Sequence, residues 1–430
     1  SFWPIVPIIP HYSCKHYLEQ ANDFNSPNRQ AAHIKIVEQL PQILYLLEHM
    51  LANPWRDSLM VHIIALAKNI LNYFQYGAIK SLLICGKLEN TLQGSCHQIL
   101  LAQITKHCGD LFRRLGSPDK AEELYQQAEA LFRQECDNLG LANTLKSCGD
   151  LFLRLGSPDK AEELYCQAEI LYRQEHDNLG LANTLQSRGD LFSRLGFPDK
   201  AEELYQQAEI LYRQERANLG LANTLRSRGD IFRRLGSPDK AEELYQQAEA
   251  LFRQERANLG LANTLQSHGD LFLRLGSLDK AGKLYQQAEV LYRQERDNLG
   301  LANTLQSRGD IFRRLGDLDK AEELYQQAEA LFRQERDNLG LANTLKSQGV
   351  LRILNGREDI AADLFRLALS YYESEQEPYG VASTCALLSV ALTKFDSHSE
   401  EAVLLAQRAR KMAESLPSSM KESIFSLLKS

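Results

Sequence analysis

Apolar side chains between positions 181 and 212 fall into two helical stripes. Leu181, Leu185, Leu191, Phe192 and Leu195 stand at i, i+4, i+10, i+11 and i+14. Ala201, Leu204, Tyr205, Ala208, Leu211 and Tyr212 follow at i, i+3, i+4, i+7, i+10 and i+11. Each spacing keeps one helical face apolar, so the segment predicts a pair of amphipathic helices. Gly196 stops the first, and Pro198 suits the opening turn of the second. Asp199 with Glu202 fits a capping box, and a start one or two residues earlier fits as well. Asn218-Leu219-Gly220 reads as the turn into the next pair.

The pattern returns every 40 residues, with Gly109, Gly149, Gly189, Gly229, Gly269 and Gly309 in register and each followed by Asp. Six near-identical copies fill 101–340, and two divergent ones fill 341–416. Before them, 1–57 reads as an irregular to helical segment and 58–100 as a degenerate helical hairpin. After them, 417–430 reads as a capping helix with Ile424, Phe425, Leu427 and Leu428 on one side. A mid-helix glycine costs about 1 kcal/mol against alanine. Six such glycines imply a close approach that offsets the cost. Gly189 is expected to meet Ala201 and Ala208 of the second helix, with Phe192 and Tyr205 filling beside them.

That register also explains the tripeptides Arg188-Gly189-Asp190, Arg228-Gly229-Asp230 and Arg308-Gly309-Asp310. They fall mid-helix, whereas an adhesion ligand needs an exposed, flexible loop. The position before the glycine reads Cys108, Cys148, Arg188, Arg228, His268 and Arg308, so arginine there looks merely tolerated.

These residues resemble the tetratricopeptide repeat pattern. In the third copy Leu185 stands at its Trp position, Gly189 at its Gly, Phe192 at its Tyr, Ala201 at its Ala and Tyr205 at its Phe, with Ala208 as the second small residue. The copy departs from the pattern at Arg188, where Leu is usual, at Arg213, where Pro is usual, and in its 40-residue period. The longer period extends each hairpin by roughly 9 Å if helical. The array is similar to Pins/LGN-type adaptors and to the C-terminal repeat arrays of fungal NACHT/STAND, NLR-like receptors. The resemblance implies an all-α right-handed superhelix of helical hairpins. Its first helices would line a concave groove for a peptide or partner domain.

Composition narrows the rest. A net charge of −7 and a pI near 5.9 argue against nucleic acid as the partner. The eight cysteines form no CxxC pair, which disfavours a disulfide framework or a zinc site and suits a reducing, cytoplasmic compartment. No apolar run reaches the length of a membrane helix, and "SFWPIVPIIP" lacks the basic leader of a signal peptide. The first residue is Ser, which suggests a fragment or a processed product. No P-loop, GxGxxG, HExxH or GxSxG motif occurs. Adjacent Cys96 and His97 face different ways on a helix. Carboxylate pairs such as Glu122-Glu123 recur in nearly every copy, as scaffold residues do. The expectation is therefore no catalytic residue, no cofactor and no metal.

What remains is the polar stripe of the first helices. Two of its columns hold steady: Asn143, Asn183, Asn223, Asn263 and Asn303, and Asp150, Asp190, Asp230, Asp270 and Asp310. Two drift: Lys146, Gln186, Arg226, Gln266 and Gln306, and Leu153, Ser193, Arg233, Leu273 and Arg313. A fixed framework with two variable columns reads as a recognition surface for a protein or peptide partner. Asp after the glycine, where the carboxylate-clamp subtype has Asn, would repel a terminal carboxylate and favours basic or mixed-charge segments. Self-association of near-identical repeats into a structural rod is the rival reading.

Overall fold

The computed structural model describes residues 98–395 and 399–429. The expected segment 1–57 and the degenerate hairpin 58–100, apart from its last three residues, lie outside the described residues. Among these there are 17 α-helices and no strand, in two compact units.

The first unit, Ser1–Glu215, contains α1 (Gln98–Arg114), α2 (Pro118–Gln134), α3 (Asn138–Arg154), α4 (Pro158–Gln174), α5 (Asn178–Arg194) and α6 (Pro198–Gln214). The second, Arg216–Ser430, contains α7 (Asn218–Arg234), α8 (Pro238–Gln254), α9 (Asn258–Arg274), α10 (Leu278–Glu295), α11 (Asn298–Leu315) and α12 (Leu318–Glu335). It continues through α13 (Asn338–Leu354), α14 (Glu358–Ser374), α15 (Pro378–Phe395), α16 (Glu400–Ala413) and α17 (Ser418–Leu427). Odd-numbered helices pair with the even-numbered helix that follows, and α17 packs on α15 and α16. Each unit is thus an α solenoid of stacked helical hairpins.

The apolar stripes meet as expected. Ala201, Leu204, Tyr205, Ala208 and Tyr212 on α6 and Leu181, Leu185, Leu191 and Phe192 on α5 are all buried. One cluster in the first unit joins Tyr125, Phe152, Tyr165 and Leu191, so a single core runs through its three hairpins. Leu195 is different: α5 ends at Arg194, and the leucine side chain is exposed.

The turn within each hairpin uses glycine for a physical reason. Gly156 and Gly196 take φ of +73° and +82°, a left-handed conformation that glycine enters without steric cost. The turn between hairpins lies elsewhere than its sequence suggests. Asn178-Leu179-Gly180 and Asn218-Leu219-Gly220 open α5 and α7 rather than forming loops. The left-handed residues there are His176 and Arg216, at φ +55° and +53°. Asp177 then caps α5, its carboxylate accepting from the Gly180 amide at 2.9 Å.

The capping box at Asp199 and Glu202 does not form. With Pro198 as the first helical residue, the cap position falls on Phe197, which has no side-chain acceptor. Asp199 sits inside the first turn, where its charge faces the positive end of the helix dipole.

The repeat glycine has a different neighbour from the one expected. A β-carbon on Gly189 would lie 2.5 Å from Cε1 of Tyr205, so an aromatic ring occupies the space, rather than the backbone at Ala201 and Ala208. Gly180 carries a second such contact: its missing β-carbon makes room for the Tyr172 ring of the preceding hairpin. One glycine seats the ring within a hairpin, and the other seats the ring between hairpins.

Candidate functional site

The four columns of the predicted stripe fall on the first helices of the hairpins, α3, α5, α7, α9 and α11, and all stay at least partly accessible. Within each unit neighbouring first helices touch. The Arg154 guanidinium donates to the Arg113 carbonyl at 3.4 Å in the first, and Arg274 to the Arg233 carbonyl at 3.0 Å in the second. In the second unit the Thr304 and Thr344 hydroxyls also reach Gln266 and Gln306 at 3.4 and 3.3 Å. In each unit the stripe is therefore a ladder whose rungs are successive hairpins.

The steady columns have an internal reason to be steady. Tyr165, Tyr205, Tyr245, Tyr285 and Tyr325 each donate a hydroxyl to Asp150, Asp190, Asp230, Asp270 and Asp310, at 2.5–2.8 Å. Tyr172, Tyr212 and Tyr292 donate to Asn143, Asn183 and Asn263 at 2.9, 2.7 and 2.7 Å. Where the second helix carries Phe252 or Phe332 instead, Asn223 and Asn303 donate to the carbonyls of Leu219 and Leu299, as Asn143 does to Leu139 alongside its tyrosine bond. The fixed Asp satisfies a buried aromatic hydroxyl, and the fixed Asn does so wherever the ring has one. Both are parts of the fold.

The seventh copy supports the pairing from the sequence side. Phe365 replaces the tyrosine against Gly349, and the acceptor position holds Val350. Donor and acceptor disappear together.

The drifting columns flank each Asp and set its electrostatics. Lys146 lies 2.9 Å from Asp150, and Arg226 and Arg233 lie 3.9 and 3.4 Å from Asp230. Arg313 lies 3.2 Å from Asp310. Gln186 with Ser193, and Gln266 with Leu273, bring no cation at all. The rung charge is thus neutral at Asp150, negative at Asp190, positive at Asp230, negative at Asp270 and neutral at Asp310.

The acids respond accordingly. At Asp110, burial pushes the carboxyl up, but Lys106 at 2.7 Å, helped by the Tyr125 hydroxyl and Arg113, holds it below the usual range. At Asp270, burial prevails over the Tyr285 hydrogen bond and the more distant Arg233, so the carboxyl rises. Burial and the facing Asp270 carboxylate push the Tyr285 phenol well above its ordinary value. In the seventh copy Val350 removes the acid beside Lys346. Burial lowers that ammonium, whose nearest aromatic faces are Tyr372 at 5.1 Å and Tyr379 at 6.0 Å.

The position before the glycine does more than tolerate arginine. Arg188 reaches back to Glu162 and Glu169 of the preceding hairpin, and Arg308 to Glu289. His268 and Gln348 meet Glu249 and Glu329 at the same 19-residue separation, both at 2.8 Å. These are links between hairpins. Arg188 and Arg308, with their tripeptides, are held inside helix interfaces and are not presented as loops.

Sequence reasoning missed the tyrosine hydroxyls as donors and the Glu169 column as acceptor. The signal was present in the constant 15-residue step from Asp190 to Tyr205 and in the joint change at Val350 and Phe365.

A family model described as tetratricopeptide repeat matches residues 100–174, 180–254 and 260–334, together more than half of the chain. No curated protein matches the chain. Solved structures of similar fold include a Rap protein complexed with Competence and Sporulation Factor, at 14% identity and a TM-score of 0.58, covering 85% of this chain and 99% of that one. The apo form of the quorum sensor NprR from B. thuringiensis is 15% identical with a TM-score of 0.58, covering 84% and 99%. A STAND protein with a tetratricopeptide repeat sensor from Pyrococcus horikoshii is 14% identical with a TM-score of 0.58, covering 93% and 67%. At these identities the likeness is one of fold.

Proposed function

Because the chain belongs to the tetratricopeptide repeat family, we propose that the first helices of each unit recognise an extended peptide segment or partner domain of mixed charge. Tetratricopeptide repeats form a protein-interaction scaffold, and the finer reading concerns which side chains do the reading here. The observation that carries it is the division of labour on each first helix. Asn and Asp are held as acceptors within the fold, while the columns at Lys146, Gln186, Arg226, Gln266 and Gln306 and at Leu153, Ser193, Arg233, Leu273 and Arg313 change the charge from rung to rung. Such a pattern favours a ligand of complementary spacing, with exposed ion pairs adding specificity more than affinity.

The test alters only the drifting columns. Gln186→Lys with Ser193→Arg, and Arg226→Gln with Arg233→Ser, exchange a negative rung for a positive one while leaving Asp190, Asp230 and their tyrosines in place. A random peptide array probed with wild type and with the exchanged protein should return different charge preferences. Identical preferences would remove this face from consideration.

Within the same reading the array acts as the ligand-sensing arm of an NLR-like receptor, a role supported by the near-identity of its copies and named for the repeats of the STAND protein above. A parent polypeptide without a nucleotide-binding P-loop would exclude that role while leaving the peptide ladder untouched.

A further inference from the structure

The tyrosine that fills the glycine notch is absent from the α15–α16 hairpin. In six hairpins Gly109, Gly149, Gly189, Gly229, Gly269 and Gly309 make room for a tyrosine ring 16 residues later, and in the seventh Gly349 does so for Phe365. Beyond that, Ser389 stands in the glycine position and Val390 in the acid position. With one more residue in the turn, Ala402, Ala409 and Ala413 take the buried places of Ala201, Ala208 and Tyr212. That register puts Ala406 where the ring-bearing residue belongs.

A cleft of about 360 Å³ opens there, with Ser389, Val390, Ala402 and Ala406 along its floor and Leu428, just past α17, on one wall. Its volume lies within the range of small-molecule sites, roughly 300–1,000 Å³. Three of its lining residues are cations, Lys394, Arg410 and Lys429, and among the described residues no acidic side chain lines it. In those earlier hairpins a glycine notch seats an aromatic ring; here Ser389 fills the notch, Ala406 supplies no ring, and the cleft left over Ala402 and Ala406 is lined by positive charge.

We infer that this cleft binds an aromatic carboxylate. The ring would lie over Ala402 and Ala406, beside the space that Tyr205 and its counterparts fill elsewhere, because the Ser389 β-carbon takes up part of that space. The carboxylate would meet Lys394 and Arg410. Such a group occurs both as a free aryl-alkanoic acid and as the C-terminal Phe of a peptide. This site is separate from the peptide ladder on the first helices of the earlier hairpins, and either could exist without the other.

The experiment is calorimetric titration of the full chain with 3-phenylpropionate, with 3-phenylpropanamide, and with an acetylated tripeptide ending in Phe with a free carboxylate. Wild type should bind the acid and bind the neutral amide at least fivefold more weakly. The tripeptide matching or exceeding the free acid would mark the peptide as the source, and weaker binding would mark the free acid. Ser389→Gly with Ala406→Tyr restores the notch and its own ring, and should lower affinity for the acid at least tenfold without lowering the thermal midpoint. Lys394→Ala with Arg410→Ala should bring the affinity for the acid down to that for the amide. No binding to wild type, equal binding of acid and amide, or undiminished binding to the ring-restored variant would each overturn the assignment. Should that variant fold poorly, the Lys394 and Arg410 pair decides alone.

Discussion

The Tyr285 hydroxyl donates to Asp270 Oδ1 at 2.6 Å, across the helix interface that Gly269 opens. The same triad recurs in its neighbours with different cations around it, so the chain contains its own series of controls. Asp110 is lowered and Asp270 raised relative to an ordinary carboxylate.

The two acids should act on stability with opposite sign. A lowered carboxyl such as Asp110 contributes stability above the unfolded value, about 3.9, and loses it as pH falls through the folded value. A raised one such as Asp270 contributes stability that is present below the unfolded value and is lost as pH rises through the folded one. Carboxyl-carbon NMR titration should place Asp270 above Asp110. Leu273→Arg, which copies the arrangement of Arg313 and Asp310, should pull Asp270 down and raise the urea midpoint at pH 7 more than at about pH 4. A Leu273→Arg protein with unchanged Asp270 titration would contradict the electrostatic account.

Removing the hydroxyl alone should cost more than removing both partners. Tyr205→Phe removes the hydroxyl that the half-buried Asp190 accepts and should lower stability by about 1–2 kcal/mol. Adding Asp190→Val, which reproduces the Phe365 and Val350 pair, should recover at least half of that loss. Additive losses in a double-mutant cycle by urea denaturation would show that the bond contributes no coupling.

A methyl group at the notch should be felt strongly. Gly189→Ala brings a β-carbon to 2.5 Å from the Tyr205 ring. The helix propensity gained is about 1 kcal/mol, while overpacking costs about 1–3 kcal/mol. Net destabilisation by denaturant is the expected result, and Tyr205→Ala in the same chain should relieve the clash.

The first helices α7 and α9 lack the side-chain cap that α3, α5, α11 and α13 have. Asp137, Asp177, Asp297 and Asp337 accept from the amide three residues on, whereas Ala217 and Ala257 cannot. Ala257→Asp should therefore add about 1 kcal/mol of stability, read as an increase in the urea midpoint. The gain should fade below pH 4 as the new carboxylate protonates, about where aspartate titrates.

The link between hairpins can be cut at Arg188. Its guanidinium meets Glu162 and Glu169 with only 14% of the side chain exposed. Arg188→Ala strands both carboxylates and should cost about 1–3 kcal/mol. Arg188→Gln, the residue at Gln348, should cost less because it can still donate to Glu169.

Much of the fold was legible because a 40-residue period and two apolar faces leave few alternatives to stacked hairpins. The errors share a cause. Asn218-Leu219-Gly220 looked like a turn because glycine usually carries the positive φ, yet here Arg216 carries it and Gly220 lies inside α7, while the equivalent Gly180 seats a ring. The capping box failed because Pro198 fixes the helix start one residue before Asp199. At the candidate site, the constancy of Asn183 and Asp190 also has a packing reason that was not legible, because their tyrosine partners lie 29 and 15 residues away on another helix. Helical periodicity groups residues along one helix and does not show which group on its neighbour they meet.

The joint formed by Arg308 and Glu289 has the same polar character as the one formed by His268 and Glu249. If positions 261–300 were excised in frame, Arg308 would land on Glu249, and the one new seam would match the joint that Arg188 forms with Glu169. A chain shortened or lengthened by one whole block would then need no new kind of interface, and each remaining block would keep the neighbours it folds against.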